Sequence, residues 1–337
     1  MSLTPPTTVA LDLRGVRLSL ERDALMELPE SVLLCLFPNG VVLSPQRQPG
    51  SPDENEEDVY FVDFDSKCLD FVLDFFATAR DAFYGSGGDD ASRRDLSFSS
   101  PLAQSNMQNP LFLKQAIIVL REELEYFAIP PSRQAATGSA PGDIAGSQHP
   151  ATDELGKPNA ALSQLKIDCG NALLEHRSIF TALQRNVSRD NNVAEQHLID
   201  MLCMSGFERE DSWGYRALEP NRCCIASIAL VLLKTGITHT PTTTTRDSES
   251  VADRPASPTS QVGLMTSSED AHAAATGGVQ VDAQQLATAQ KLLLFWRKPA
   301  RKCWWDATDV VLHPGTPEEQ SLKVWARRVW TLELSLI

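Results

Sequence analysis

VYFVDFDSKCLDFVLDFF, residues 59–76 of the chain, carries the clearest structural signal in the sequence. Its first four residues are aromatic or β-branched, which favours a buried strand. Asp65 or Ser66 can cap the start of a helix, and the apolar residues Leu69, Val72 and Phe76 then recur at helical spacing. The stretch predicts a strand, a short turn and a helix.

Asp63 and Asp65 allow two interpretations. Two aspartates at the carboxyl end of an apolar strand are what a haloacid-type phosphatase needs, one to attack phosphorus and one as acid and base beside magnesium. Aspartate is equally common as a cap or turn former at such a junction. The haloacid pattern has Thr or Val where this chain has Lys67, and no later acidic pair completes a metal site. We expect a structural pair, with no catalytic, cofactor-binding or metal-binding residue and hence no enzyme.

The composition limits the partners and the compartment. The chain has 337 residues, is 42% apolar and has a formal net charge of -14, so phosphate backbones should repel it and nucleic acid is not an expected partner. The seven cysteines show no metal-ligand spacing and suggest reduced thiols, as in the cytosol or nucleus, and we expect a cytoplasmic protein. The longest apolar run, residues 223–233, is too short to span a bilayer, so direct membrane insertion is not expected.

The segments on either side of residues 59–76 also contain patterns that predict strands and helices. Residues 9–20 alternate around Arg14 and Gly15 and predict a hairpin, and two short helices should follow over 23–28 and 32–37. A longer helix is predicted over 111–127. Polar, Pro- and Gly-bearing stretches at 44–58 and 85–109 are expected to be mobile insertions.

This order of parts resembles a BTB/POZ domain of the potassium-channel tetramerisation type. The motifs that carry the resemblance are LDLRGVRL at 11–18, LPES at 28–31 leading into LLCLF at 33–37, YFVDFD at 60–65, and LREELEYF at 120–127. The resemblance implies an α+β interaction module over residues 9–130 that assembles with itself into a homo-oligomer. Arg14 replaces one of the family's paired glycines, and no zinc-binding motif follows Leu111, which leaves the stoichiometry open.

The second half reads as a mainly helical domain with a C-terminal β-hairpin, set off by disordered linkers at 131–160 and 238–280. The helical domain spans 161–237, with helices predicted over 171–183, 194–204 and 223–233. A last segment, 281–337, should pack on it and begin with a helix over 284–297. Residues 322–336 fit a helix or a strand. Their Val and Trp content favours strands, with 310–312 as a partner, and Arg328 alone interrupts the apolar alternation.

A stretch that interleaves basic and aromatic residues links the last helix and these strands. It supplies the candidate protein-interaction residues Arg297, Lys298, Arg301, Lys302, Trp304 and Trp305. Such a surface suits an acidic protein partner better than nucleic acid. The alternative, which we favour, is a structural corner in which the tryptophans are buried and the cations reach past them to water.

Four longer motifs resemble the fungal growth-regulation proteins of the Whi type. They are MLCMSGF at 201–207, WGYRALEP at 213–220, RKPARKCWW at 297–305 and WARRVWTLE at 325–333. The resemblance implies a non-catalytic scaffold that binds and activates haloacid-type stress-response phosphatases at the plasma membrane, to which the partner recruits it. It also implies restraint of TOR-dependent growth when amino acids are scarce. A rival interpretation is a BTB adaptor of a cullin-type ubiquitin ligase.

Overall fold

The structure is a computed structural model that describes residues 8–37, 59–84, 109–128, 159–190, 192–239 and 279–337. The expected insertions and linkers lie almost wholly outside these ranges. The fold is mixed α+β. Its elements in chain order are β1 (Thr8–Leu13), β2 (Val16–Glu21), α1 (Arg22–Met26), α2 (Glu30–Leu36), β3 (Val59–Val62), α3 (Ser66–Tyr84), β4 (Ala116–Ala128), α4 (Ala160–Leu174), α5 (Thr181–Asp190), α6 (Val193–Ser205), β5 (Tyr215–Leu218), β6 (Cys224–Leu232), β7 (Ile237–His239), β8 (Val279–Val281), α7 (Ala283–Trp296), β9 (Ala300–Leu312) and β10 (Gln320–Leu336).

The N-terminal unit, β1 to α3, matches the sequence predictions closely. β1 and β2 form the predicted hairpin, and β3 pairs in parallel with β1, which gives the strand order β2-β1-β3. Arg14 and Gly15 both have positive φ, at 52° and 94°, as a two-residue hairpin turn requires. The predicted strand at 59–62 and the helix after it are confirmed, and Leu69, Val72 and Phe76 are buried in the core of this unit.

A five-stranded antiparallel sheet dominates the rest of the molecule, in the order β5-β6-β4-β10-β9. The strands predicted over 322–336 and at 310–312 are confirmed and pair with each other as parts of β10 and β9. The helices predicted over 111–127 and 223–233 are wrong, because these segments form the adjacent strands β4 and β6. The expected mainly helical second half is therefore a sheet covered by helices.

Helices α4 to α7 cover one face of this sheet, which we call the inner face. Its buried residues include Ile118, Leu120, Ile225 and Trp330. Gly170 lets α4 approach β4 closely, since a Cβ there would lie 2.3 Å from the Tyr126 hydroxyl. The helices predicted over 194–204 and 284–297 are confirmed, whereas the helix predicted over 171–183 is interrupted between α4 and α5.

The N-terminal unit covers part of the opposite face, which we call the outer face. Ile117, Val119 and Ile228 join the core of that unit. The side chain of Glu333 on β10 accepts hydrogen bonds of 2.8 Å from the backbone N–H groups of Glu30 and Ser31, at the start of α2. This carboxylate satisfies helix-terminal donors from a distant part of the chain and ties the two units together.

Candidate interaction surface

The part of the outer face that no other described element covers carries three adjacent aromatic side chains, Phe127, Trp305 and Trp325, which we call the outer patch. Phe127 is opposite Trp325 in the β4–β10 register, and Arg327 is opposite Trp305 in the β10–β9 register. The rings of Phe127 and Trp305 lie 5.7 Å apart across β10. Their residues are 49% and 58% exposed and Trp325 is 43% exposed. Clustered exposure of large aromatic residues is typical of a protein-binding surface.

Charged residues lie beside the outer patch. Arg327 Nε donates a 2.9 Å hydrogen bond to Glu125 Oε2, which raises the pKa of Arg327. Both members of this pair remain about 40% exposed, so the pair contributes little to stability. Arg301 and Cys303 are also exposed on the same face of β9, which ends the sheet. An apolar centre with a charged rim is the usual anatomy of a recognition surface.

The candidate residues between 297 and 305 do not share one surface. Arg297 and Lys298 are exposed just beyond the last residue of α7, and Arg301 and Trp305 point to the outer face. Lys302 and Trp304 point to the inner face, because side chains alternate along β9. The expectation of buried tryptophans is wrong for Trp305, which alternation brings to the outer face, where the residue is exposed.

The inner-face residues of this stretch have structural contacts. Trp304 packs edge-on against Trp330, with ring centroids 5.5 Å apart. Lys302 Nζ lies 5.4 Å from the Trp304 ring centre and 3.2 Å from Glu195 Oε1, which belongs to a buried side chain. These contacts give Lys302 and Trp304 roles in packing.

Asp63 and Asp65 occupy the β3–α3 junction. Asp65 Oδ1 accepts a 2.8 Å hydrogen bond from the backbone N–H of Lys67, in the first turn of α3. Asp63 is largely exposed, and its Oδ1 accepts a 2.6 Å hydrogen bond from Arg14 Nε. Arg14 also pairs with Glu219, so these contacts connect the hairpin, the junction and the larger sheet. They are the contacts of a helix cap and of an ion pair.

The inner face also holds a buried charge cluster that the sequence reasoning missed. Glu122 lies at its centre and accepts 2.7 Å hydrogen bonds from Arg216 Nη1 and Arg328 Nη1, and one of 3.1 Å from Trp330 Nε1. The Glu122 and Arg216 side chains are 1% and 2% exposed. Asp306, also buried, pairs with Arg185 and lies 3.6 Å from Arg328 Nε.

Burial and ion pairing shift the pKa values of these groups in opposite directions. Burial alone would raise the pKa of Glu122, but Arg328 and Arg216 outweigh burial and hold the pKa below its ordinary value. For Arg216 burial prevails, so its pKa is lowered despite the contact with Glu122. Glu122 is therefore ionised in the folded protein and neutralises part of the surrounding positive charge.

Among the described residues, no helix has both the length and the apolar character needed to cross a bilayer. Comparison with known proteins gives two fungal relatives. The chain is 29% identical over 336 residues to a WHI2-like protein of Schizosaccharomyces pombe, covering 98% of this chain and 88% of that protein. It is 26% identical over 442 residues to a growth regulation protein of Saccharomyces cerevisiae, covering 94% of this chain and 88% of that protein. No protein-family model and no solved structure matches the chain.

Proposed function

We propose that this chain is a non-catalytic growth regulator that acts by binding a protein partner through the outer patch. The observation that carries the proposal is the exposed cluster of Phe127, Trp305 and Trp325 on a rigid sheet. Aromatic residues on regular strands lose little conformational freedom on binding and often dominate the binding energy. The similarity to relatives named for growth regulation and WHI2 likeness supports the regulatory role.

The proposed partner is a haloacid-type stress-response phosphatase, which the chain activates. In this proposal the phosphatase recruits the otherwise cytoplasmic protein to the plasma membrane, and the protein restrains TOR-dependent growth during nutrient stress. The motif resemblance at residues 201–207, 213–220, 297–305 and 325–333 supports this assignment. The absence of catalysis by the chain itself is part of the proposal, and the capping contact of Asp65 supports it.

The N-terminal unit has a separate role in the proposal, as a BTB/POZ-type module for self-association. Support comes from the order of β1, β2, α1, α2, β3 and α3 together with the motifs quoted above. The outer patch lies on the larger sheet, so partner binding and self-association would use different surfaces. Each can then be altered without the other.

Affinity capture of the full chain tests the proposal. Extracts are prepared from nutrient-rich and amino-acid-starved cells, and bound proteins are identified by mass spectrometry. The double variant Trp305→Ala/Trp325→Ala should reduce phosphatase capture about tenfold or more, because aromatic anchors typically contribute most of the binding energy. Phe295→Ala, at an aromatic residue 71% exposed outside the patch, is the matched control and should retain capture.

Two outcomes would overturn the proposal. One is capture of a cullin without a phosphatase, which would support the ubiquitin-ligase adaptor instead. The other is hydrolysis of a generic phosphate ester by the purified chain, abolished by Asp63→Asn, which would make the chain itself the enzyme. Full phosphatase capture by the double variant would also contradict the proposal, because it would show that the outer patch is not the binding surface.

A further inference from the structure

A cleft of about 490 Å³ opens beside the buried charge cluster, between the start of α5 and strands β9 and β10. Three arginines line it, Arg177, Arg185 and Arg328, and we call it the arginine cleft. Ser178, Thr181 and Thr308 also line it. The volume is within the range of pockets that hold one small organic molecule.

The cleft has more positive than negative charge. In the adjoining cluster, the cations Arg185, Arg216 and Arg328 share two carboxylates, those of Glu122 and Asp306. One positive charge therefore remains in excess, and it lies in a chain whose formal net charge is -14. Arg177 adds a further cation at the lining, with Glu175 as the acidic lining residue. Such local excess marks an anion site.

Part of this positive charge lacks a hydrogen-bond acceptor. Arg328 is nine-tenths buried, and its Nε atom has no hydrogen-bond partner among the described residues. The same holds for the buried Nε of Arg185. Both Nε atoms are closed to solvent, and Arg328 Nε lies 3.6 Å from Asp306 Oδ2, so they are not themselves ligand contacts and show only that the carboxylates do not satisfy every arginine donor. The first turn of α5 contributes Thr181 and Ala182 to the lining, and a helix start favours negative charge.

The pKa of His176 is affected by the same positive charges. Its pKa is lowered by burial and then by the charges of Arg216, Arg328 and Arg185, which Glu175 offsets only in part. An anion in the cleft would weaken the repulsion between the imidazolium and these arginines. Its binding should therefore raise the pKa of His176.

We propose that the arginine cleft binds the phosphate group of a small phosphorylated molecule. A phosphate dianion offers three acceptor oxygens, which match several planar guanidinium groups better than a single carboxylate does. The cleft volume leaves room for the organic part of the molecule. The site lies beside the inner face and is separate from the outer patch, so this proposal does not depend on the proposed function.

Calorimetric titration of the full chain at pH 7.5 and constant ionic strength provides the test, with phenyl phosphate, inorganic phosphate and acetate as probes. Both phosphates should bind and acetate should not. Arg177→Gln should weaken phosphate binding about tenfold without lowering Tm in the absence of phosphate, because Arg177 is exposed. Arg297→Gln, an exposed arginine outside the cleft, should bind as the wild type does. Equal binding by wild type and Arg177→Gln, or by acetate and phosphate, would overturn the proposal.

Two further measurements separate the remaining explanations. The NMR titration of His176, assigned with His176→Gln, should give a higher pKa in saturating phosphate, and an unchanged pKa would contradict binding in this cleft. A phosphoserine peptide is compared with phenyl phosphate by calorimetry. If the peptide binds ten times more tightly, the ligand is a phosphoprotein and the assignment to a small molecule is wrong.

Discussion

The two faces of the five-stranded sheet differ in which side chains they bury and which they expose. The inner face buries a cluster of arginines and carboxylates beneath helices, whereas the outer face leaves three large aromatic side chains in water. Trp304 and Trp305 are neighbours in sequence and lie on different faces. Strand alternation alone thus gives adjacent identical residues different roles, one in packing and one available for binding.

The largest expected effect is on the inner face, at Glu122. Glu122→Gln removes the carboxylate between Arg216 and Arg328 and should lower the free energy of unfolding by about 3–5 kcal/mol, because buried cations lose their counterion. Urea denaturation measures this value. Glu125→Gln is the outer-face control, since its pair with Arg327 is solvent-exposed, and it should cost less than about 1 kcal/mol. Similar losses in the two variants would refute the contrast between the faces.

A smaller effect is expected at the two tryptophans. Trp304→Ala removes a half-buried ring that packs against Trp330 and should cost about 2–3 kcal/mol of folding free energy. Trp305→Ala should cost less than about 1 kcal/mol, because the residue is 58% exposed, yet it should weaken partner capture. Thermal and urea denaturation of both variants give the comparison. If Trp305→Ala proves the more destabilising, the outer patch is part of the core.

The smallest effect concerns the pH dependence of stability through His176. Its pKa in the folded protein lies below the ordinary value of 6.5, so the unfolded chain binds this proton more readily. The contribution of neutral His176 to the free energy of unfolding is fully present above pH 6.5. It is lost as the pH falls through the folded-state pKa. In urea denaturation, the free energy of unfolding should decrease less between pH 7.5 and 5.5 for His176→Gln than for the wild type. A larger decrease of this free energy in the variant would contradict a lowered pKa of His176.

The sequence predicted the N-terminal unit well and the centre of the large sheet poorly. β1, β2 and β3 are short and bounded by turn residues, and Asp65 caps α3 as expected. β4 and β6 are buried on both faces along much of their length, because the N-terminal unit covers one side and the helices cover the other. Burial on both faces removes the alternation that identifies a strand, and a helix face then fits equally well.

The candidate surface was predicted only in part. Trp305 was identified, but Phe127 and Trp325 join it through strand pairing between distant segments, which no local pattern reveals. The buried charge cluster did leave one signal. Arg328 was the exception in an otherwise apolar alternation, and a charge at an inward position requires a buried partner. That partner, Glu122, lies in the segment 111–127, for which the sequence predicts a helix.

The position of β10 in the sheet has a consequence for biosynthesis. β10 is synthesised after every other described strand, yet it lies between β4 and β9 and carries the Glu333 carboxylate that caps α2. While the ribosome is still translating the preceding segments, β4 has an open edge and the first folded unit lacks its helix cap. Until β10 is added, the edge of β4 and the apolar side chains that β10 covers stay exposed, so we expect the larger sheet to form late in folding.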